Sequence, residues 1–212
     1  MGASLVKRLH LVLIGACVGC GVMAATGCQS ASNADGMVTI QLEDESGRIL
    51  EARSLALRAQ KTKSVTEAIA LYRQSISVYR ELPSAWNNLG ILLMDQERYL
   101  DAAEAFTTAS ELEPSDPRPL YNLGLTWEGA GYLSDALQYY GEALKRDPRY
   151  QPALRGAIRA DRLLGRANDE TLRRLRIALG QEQDKEWRAW FEMQRPQVEA
   201  EVYAKGEVES MQ

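Results

Sequence analysis

His10, Cys17, Cys20 and Cys28 are the side chains of this 212-residue chain that most readily act as nucleophile, imidazole base or soft metal ligand, and all fall in the first 28 positions. Lys7 and Arg8 stand before an apolar run, Leu9 to Ala25, that holds no acidic residue and ends in AATGC, after which the sequence turns polar in QSASNADG. A basic start, an apolar stretch and small residues before a cut point have the shape of an export signal. Cleavage before Cys28 would remove His10, Cys17 and Cys20. The remaining chain would have no histidine, and its single thiol would lie at its N-terminus. That excludes imidazole general-base catalysis, Ser-His and Cys-His nucleophile pairs, an ordinary zinc site and a disulfide.

The segment ending Ala25, Thr26, Gly27, Cys28 resembles the lipobox of bacterial lipoproteins. The resemblance implies that residues 1–27 are a lipoprotein-type signal peptide and that Cys28 is acylated on sulfur, palmitate included, and becomes the new N-terminus. Ala25 stands where that family prefers Leu. A second match, IGAC at 14–17, fits the box letter by letter but leaves an apolar segment of only about eight residues, so Cys28 is the better placed. Two other outcomes stay open: cleavage by an ordinary signal peptidase, giving a soluble secreted or periplasmic protein, and an uncleaved anchor of about 17 residues, the lower limit for spanning a bilayer. The opening MGASLV does not suit N-myristoylation, because Val6 stands where Ser or Thr is required. Several acyl chains, at about 0.8 kcal/mol per buried methylene, would hold the protein stably at a membrane. In the lipoprotein family the residue after the cysteine influences sorting, and Gln29 is not the Asp that retains a protein at the inner membrane. That implies an outer-membrane lipid anchor facing the periplasm, where the cell has an outer membrane.

Carboxylates are what remain for catalysis. The 29 acidic residues scatter over helix surfaces or sit in turns such as SDP at 115–117 and RDP at 146–148. A carboxylate-dependent envelope hydrolase is the alternative of a different class, but no acid–base pair is marked out. GACVGCG lies inside the signal and NLG is a helix phrase, so neither is a phosphate loop. Loss of Lys7 and Arg8 would leave 23 basic against 29 acidic residues, a net charge of −6, which opposes nucleic-acid binding. No cofactor or metal is expected, and the chain is expected not to be an enzyme.

With 45% hydrophobic and 25% charged residues the chain can fold as a globular domain. The same phrase, Asn-Leu-Gly, occurs in AWNNLG and PLYNLG, with Gly90 and Gly124 34 positions apart. At this period Trp86 aligns with Leu120, Leu89 with Leu123, Leu93 with Trp127, Ala102 with Ala136, Phe106 with Tyr140, Ala109 with Ala143 and Pro114 with Pro148. Trp86, Leu89, Gly90 and Leu93 fall on one face of a helix, as do Ala102, Phe106 and Ala109 on the next. Gly and Ala are small where two helix axes come close, and the prolines stop the second helix. The pattern W-x2-L-G-x2-Y, A-x3-F, A, P resembles the tetratricopeptide repeat family. That implies an all-α fold, a right-handed superhelical stack of antiparallel helix hairpins closed by a C-terminal capping helix. Full repeats are expected at 83–116 and 117–150, a degenerate one at 49–82 opened by the capping phrase SVTE, and a modified cap at 151–180 with Glu170 and Arg174 at core positions. The repeat domain spans 47–180, preceded by a polar tether at 28–46. Capping helices follow at 181–212, with Trp187, Trp190 and Phe191 on one face and a break or kink expected at Pro196.

In the family, partners lie against the first helices of successive repeats. That resemblance implies a groove of Arg53, Leu57, Asn87, Ile91, Met94, Tyr121, Leu125, Glu128, Arg155, Arg159 and Arg162, with Gln60 beside it. Such a surface suits a peptide segment or protein partner. One subclass clamps a terminal carboxylate; Arg53, Asn88 and Arg118 match its residue types, whereas Leu57 and Asn122 do not. Arg155, Arg159, Arg162 and Arg166 form a helical stripe that is either solvated surface or a site for an acidic partner or anionic lipid. The function implied is a non-enzymatic, lipid-tethered interaction scaffold of the bacterial cell envelope; self-association is a further possibility.

Overall fold

A computed structural model describes the backbone of residues 33–210 and the side chains of 44–204. The signal segment, Cys28 and the start of the tether lie outside the described residues. The chain divides after Gln41, and the unit that begins at Leu42 carries the repeats. The described residues form nine helices and no strand: α1 Asn33–Lys61, α2 Val65–Val78, α3 Pro83–Asp95, α4 Tyr99–Leu112, α5 Arg118–Gly129, α6 Leu133–Arg146, α7 Gln151–Leu163, α8 Asp169–Gln181 and α9 Lys185–Ser210. From α2 to α9 each helix packs on the next, and the first helices α3, α5 and α7 also touch one another in sequence. This is a stack of hairpins, α3/α4, α5/α6 and α7/α8, with α9 laid on the last.

The residues in phase at 34 positions explain the close approach within each hairpin. Phe106 of α4 and Tyr140 of α6 are fully buried, and each ring lies against a glycine of the preceding helix. A Cβ on Gly90 would sit 2.7 Å from the Phe106 ring, and one on Gly124 would sit 2.3 Å from the Tyr140 ring. The rings occupy the space that a side chain would fill, so the spacing of the helix axes is set by a glycine paired with an aromatic residue. Tyr140 is enclosed on its other side by Gly156 of α7, where a Cβ would lie 2.7 Å from the ring. Ala102 and Ala136 are completely buried beside these contacts, Leu89 and Leu123 nearly so, and Trp86 is half-buried, its indole N–H donating to Arg80 O at 2.8 Å.

The turn inside each hairpin repeats as faithfully as the core. Glu97, Gly131 and Gly165 follow α3, α5 and α7 at intervals of 34 and take positive φ of 59°, 87° and 63°. Around each, the same bonds close the helix: Arg98 N to Leu93 O, Tyr132 N to Trp127 O and Arg166 N to Asp161 O, with the left-handed residue's own N–H bonded three residues back. This is the Schellman arrangement, which satisfies carbonyls that the helix end would leave unpaired. Second helices end at Tyr79, Glu113 and Asp147, all out of helical backbone, with Tyr79 and Asp147 extended and Glu113 at φ −132° and ψ 77°. A proline follows Glu113 and Asp147 and disfavours helical backbone at the residue before it. At Tyr79 the chain leaves the helix with Arg80 in the proline's place.

Three segments are arranged differently from their sequence-based expectation. Residues 33–46, read as a tether, are the first turns of α1. Ala52, Leu55, Ala56 and Ala59 of that helix are buried, and Ser75 Oγ donates to Ala52 O at 2.7 Å. Once such a packed stretch is helical, extending it residue by residue costs little. The 151–180 segment is a regular hairpin, α7/α8, whose second helix replaces apolar core with a polar lock. Asp161, almost fully buried, accepts from Arg174 Nη1 at 2.9 Å and from Thr171 Oγ1 at 3.0 Å. The third segment is α9, which passes through Pro196 without ending. Pro196 is exposed, so the Glu192 carbonyl it leaves unbonded can turn to water. No described helix is long and apolar enough to cross a membrane.

Candidate peptide-binding face of the first helices

Each first helix has two faces. On α3, Ala85, Leu89, Gly90 and Leu93 are buried against the second helices, whereas Asn87, Ile91 and Met94 are half-buried on the other side. On α5 the corresponding residues are Tyr121, Leu125 and Glu128, and on α7 they are Arg155, Arg159 and Arg162, all half-buried. Arg53, Leu57 and Gln60 of α1 are exposed, Leu57 by 53%. The expected apolar floor is thus half-sheltered at Ile91 and Leu125 and open at Leu57.

Polar bonds tie the first helices together across this face. Asn122 Nδ2 donates to Asn87 Oδ1 at 2.9 Å, joining α5 to α3. Arg159 grips Glu128 through Nε and Nη2 at 2.9 and 2.8 Å, joining α7 to α5. Arg162 donates from Nε to Gln194 and from Nη2 to Glu201, both at 3.0 Å, joining α7 to α9. Arg155 binds Glu182 through Nε and Nη2 at 2.9 and 2.5 Å, and its guanidinium lies 5.1 Å from the Trp187 ring centre. Two-pronged arginine–carboxylate pairs combine charge with fixed geometry. Three members of the stripe are therefore engaged in ion pairs within the chain, whereas the exposed Arg166 lies 3.4 Å from Ser134 Oγ and acts on the Asp161 carboxylate only through its charge.

The titration behaviour follows from these bonds. Glu182 is held down to about 2, first by the hydrogen bond from Arg155, against the opposing effect of burial, and further by the Asp184 N–H and by Gln151. Tyr140 is pushed well above the usual phenol range by burial, and its hydroxyl donates to Glu128, whose charge adds to the effect. Burial also raises Tyr121, whose ring centre is 5.8 Å from those of Tyr140 and Tyr150. Asp161 is raised by burial, with Arg174 pulling the other way. The carboxylates Glu128, Asp161 and Glu182 thus each bind an arginine, and among the described residues no cluster of three or more His, Cys, Asp or Glu is placed to hold a metal. Of the carboxylate-clamp candidates, Arg118 is tied to Asp116 by its side chain at 2.9 Å, Asn88 hydrogen-bonds Tyr72, and Arg53 is exposed.

Glu182, Gln194 and Glu201 complete this face without having been singled out in the sequence. A signal for them existed, because α9 starts at Lys185, 34 residues after α7 starts at Gln151, which makes it the next first helix in the stack.

Residues 87–152 match the profile of the tetratricopeptide repeat family. Over that span the stacked hairpins are tetratricopeptide repeats. Over 128 residues the chain is 29% identical to a probable UDP-N-acetylglucosamine–peptide N-acetylglucosaminyltransferase SPINDLY of Petunia hybrida, covering 60% of this chain and 14% of that protein. Over 82 residues it is 29% identical to the BBSome complex member BBS4 of Mus musculus, covering 39% and 16%. The chain therefore spans only a small part of either relative's length. Among solved structures it is similar to the first repeat domain of Spaghetti (RPAP3) bound to the HSP90 peptide SRMEEVD, with a TM-score of 0.52, 18% identity and coverage of 55% of this chain and 94% of that one. It is also similar to MamA, with a TM-score of 0.55, 20% identity and coverage of 61% and 77%. These likenesses show the tetratricopeptide fold, an architecture that supports protein–protein interaction.

Proposed function

We propose that this tetratricopeptide-repeat protein is a non-enzymatic adaptor of the bacterial cell envelope, anchored by lipid on Cys28, that holds a peptide segment of a protein partner against its first helices. The observation that carries the reading is the face formed by Asn87, Ile91 and Met94 of α3 with Tyr121 and Leu125 of α5. Its apolar members are half-buried rather than sealed, and its framework is fixed by side-chain bonds between helices. A preorganised surface of this kind binds without first paying to order itself. The Spaghetti domain, in complex with a peptide, is the structural precedent. The anchor is supported by the sequence around Cys28 and by the switch to polar residues from Gln29 onward.

A photocrosslinking residue at Leu125 and, as control, at the exposed Gln138 of α6 tests the groove in intact cells. Adducts to a discrete protein from position 125 and none from 138 are expected; equal labelling from both would refute the groove. Palmitate labelling that disappears in Cys28→Ala tests the anchor separately.

A further inference from the structure

The charged side chains of the first-helix face hold one another, and the way they are paired decides what a partner finds there. Arg159 of α7 and Glu128 of α5 form an ion pair close enough to Tyr121 that both charges act on its phenol. Of the three arginines of α7 that form ion pairs, Arg159 is the most open to solvent. Its side chain is 34% exposed, against 28% for Arg155 and 18% for Arg162. A bare guanidinium in that position would attract the carboxylates of an acidic segment.

Glu128 prevents this, and it is held in place from two sides. Arg159 donates from Nε to Oε1 at 2.9 Å and from Nη2 to Oε2 at 2.8 Å, so the two-pronged edge of the guanidinium is already used. From the core side the Tyr140 hydroxyl donates to Oε2, and that ring is confined between Gly124 and Gly156. The carboxylate is therefore in position before a partner arrives. An acidic ligand would have to displace it, or accept from Nη1 of Arg159 beside a fixed negative charge. An uncharged segment meets neither obstacle. The neighbouring arginines are closed in the same way, Arg155 on Glu182 and Arg162 on Gln194 and Glu201. Asn87 and Asn122, bonded to each other, add amides without charge. Arg53, at the α1 end of the groove, is exposed, and its charge is screened by water and salt.

We propose that Glu128 is a specificity-determining residue of this face: by occupying Arg159 it turns away acidic segments, so that the part of the partner crossing α5 and α7 is uncharged. The proposal rests on the chain being a peptide-binding scaffold and names the kind of segment it takes. Three variants of the full chain test it. Glu128→Gln keeps an oxygen that accepts from Tyr140 but removes the charge, which leaves Arg159 open. Arg159→Gln does the reverse and leaves Glu128 open. The third variant carries both substitutions and neither charge. A random peptide display library is selected on the unaltered chain and on each variant, and the enriched sequences are synthesised as acetylated amides for affinity measurement. Arg53 is common to all four chains, so it does not affect the comparison.

Relative to the unaltered chain, Glu128→Gln is expected to enrich sequences with Asp or Glu and Arg159→Gln sequences with Lys or Arg, while the double variant returns to uncharged ones. Acidic peptides selected on Glu128→Gln should bind it about tenfold or more tightly than they bind the unaltered chain or the double variant, the size of one charge-assisted hydrogen-bonded pair. That advantage should shrink as salt rises. A merely structural role for Glu128 would weaken all peptides alike and leave their charge unchanged. Such a result would overturn the proposal and leave the groove standing, as would acidic peptides that bind the unaltered chain and are lost with Arg159→Gln. Should Glu128→Gln fail to fold, the shift toward basic peptides on Arg159→Gln decides alone. If no sequence is enriched on any chain, this inference and the groove reading fall together.

Discussion

At the scale of single residues the fold depends on places where hydrogen is the only side chain that fits. Gly124 is the sharpest case, since a methyl group there would overlap the Tyr140 ring, which Gly156 confines from the far side. Tyr140 cannot swing away without breaking its hydroxyl bond to Glu128. Gly124→Ala is therefore expected to destabilise by about 1–3 kcal/mol, the usual cost of overpacking, measured by urea unfolding, whereas Gly180→Ala, with open space around it, should cost nothing of that size. A second residue-scale expectation concerns acid. Glu182 titrates at about 2 in the folded chain, below the range of a free carboxylate, so its pair with Arg155 contributes stability above the unfolded-state pKa of about 4.3 and loses it as pH falls toward 2. Asp161 works in the opposite direction, because its carboxyl is raised by burial. The difference between the unaltered chain and Glu182→Gln isolates the first effect. The gap between their melting temperatures should be largest near neutral pH and shrink between about pH 4 and 2.

At the scale of elements the hairpin turns show what the sequence made legible and what it did not. Gly90, Gly124, Phe106 and Tyr140 announce the repeat because a close helix contact permits few residue types. Pro114 and Pro148 mark helix ends for an equally local reason. The left-handed turn position was harder to see, because Glu97 occupies the place that Gly131 and Gly165 fill in the next two hairpins. Such a conformation costs a side-chain-bearing residue about 1–2 kcal/mol. Glu97→Gly should raise the melting temperature and Gly131→Ala lower it, which calorimetry on the two variants would check. The second helix of the 151–180 hairpin was obscured for another reason: its core position holds Arg174, which becomes acceptable only because Asp161 is buried opposite it, a pairing 13 residues away in sequence. The arginine stripe was visible as a pattern, but its engagement was not, since Glu128, Glu182 and Glu201 come from three other segments. The start of α1 and the passage of α9 through Pro196 depend on packing and solvent exposure that local residue preferences do not contain.

At the scale of the whole molecule, stability in a stack of hairpins comes from each unit covering its neighbour, so the ends are weaker than the middle. Within the unit that begins at Leu42, α5 and α6 have hairpins on both sides, whereas α9 rests on one. Its hold is nonetheless substantial: Phe191 and Val198 are fully buried, and Arg155 and Arg162 bind residues of α9 or of the loop before it. Ending the chain after Gln183 would keep Glu182 but strip Phe191 from the core and leave Arg162 without Gln194 and Glu201. Hydrogen exchange on that truncated chain should show protection lost first in α8, then in α7, with α3 to α6 retaining theirs, because opening propagates from the exposed end. A uniform loss across all helices would instead mean that the stack behaves as one cooperative block. The distinction bears on function, since a first-helix face that survives loss of α9 can bind through α3 and α5 alone, whereas in a single block binding at that face would depend on α9, through the bonds of Arg162 to Gln194 and Glu201 and of Arg159 to Glu128.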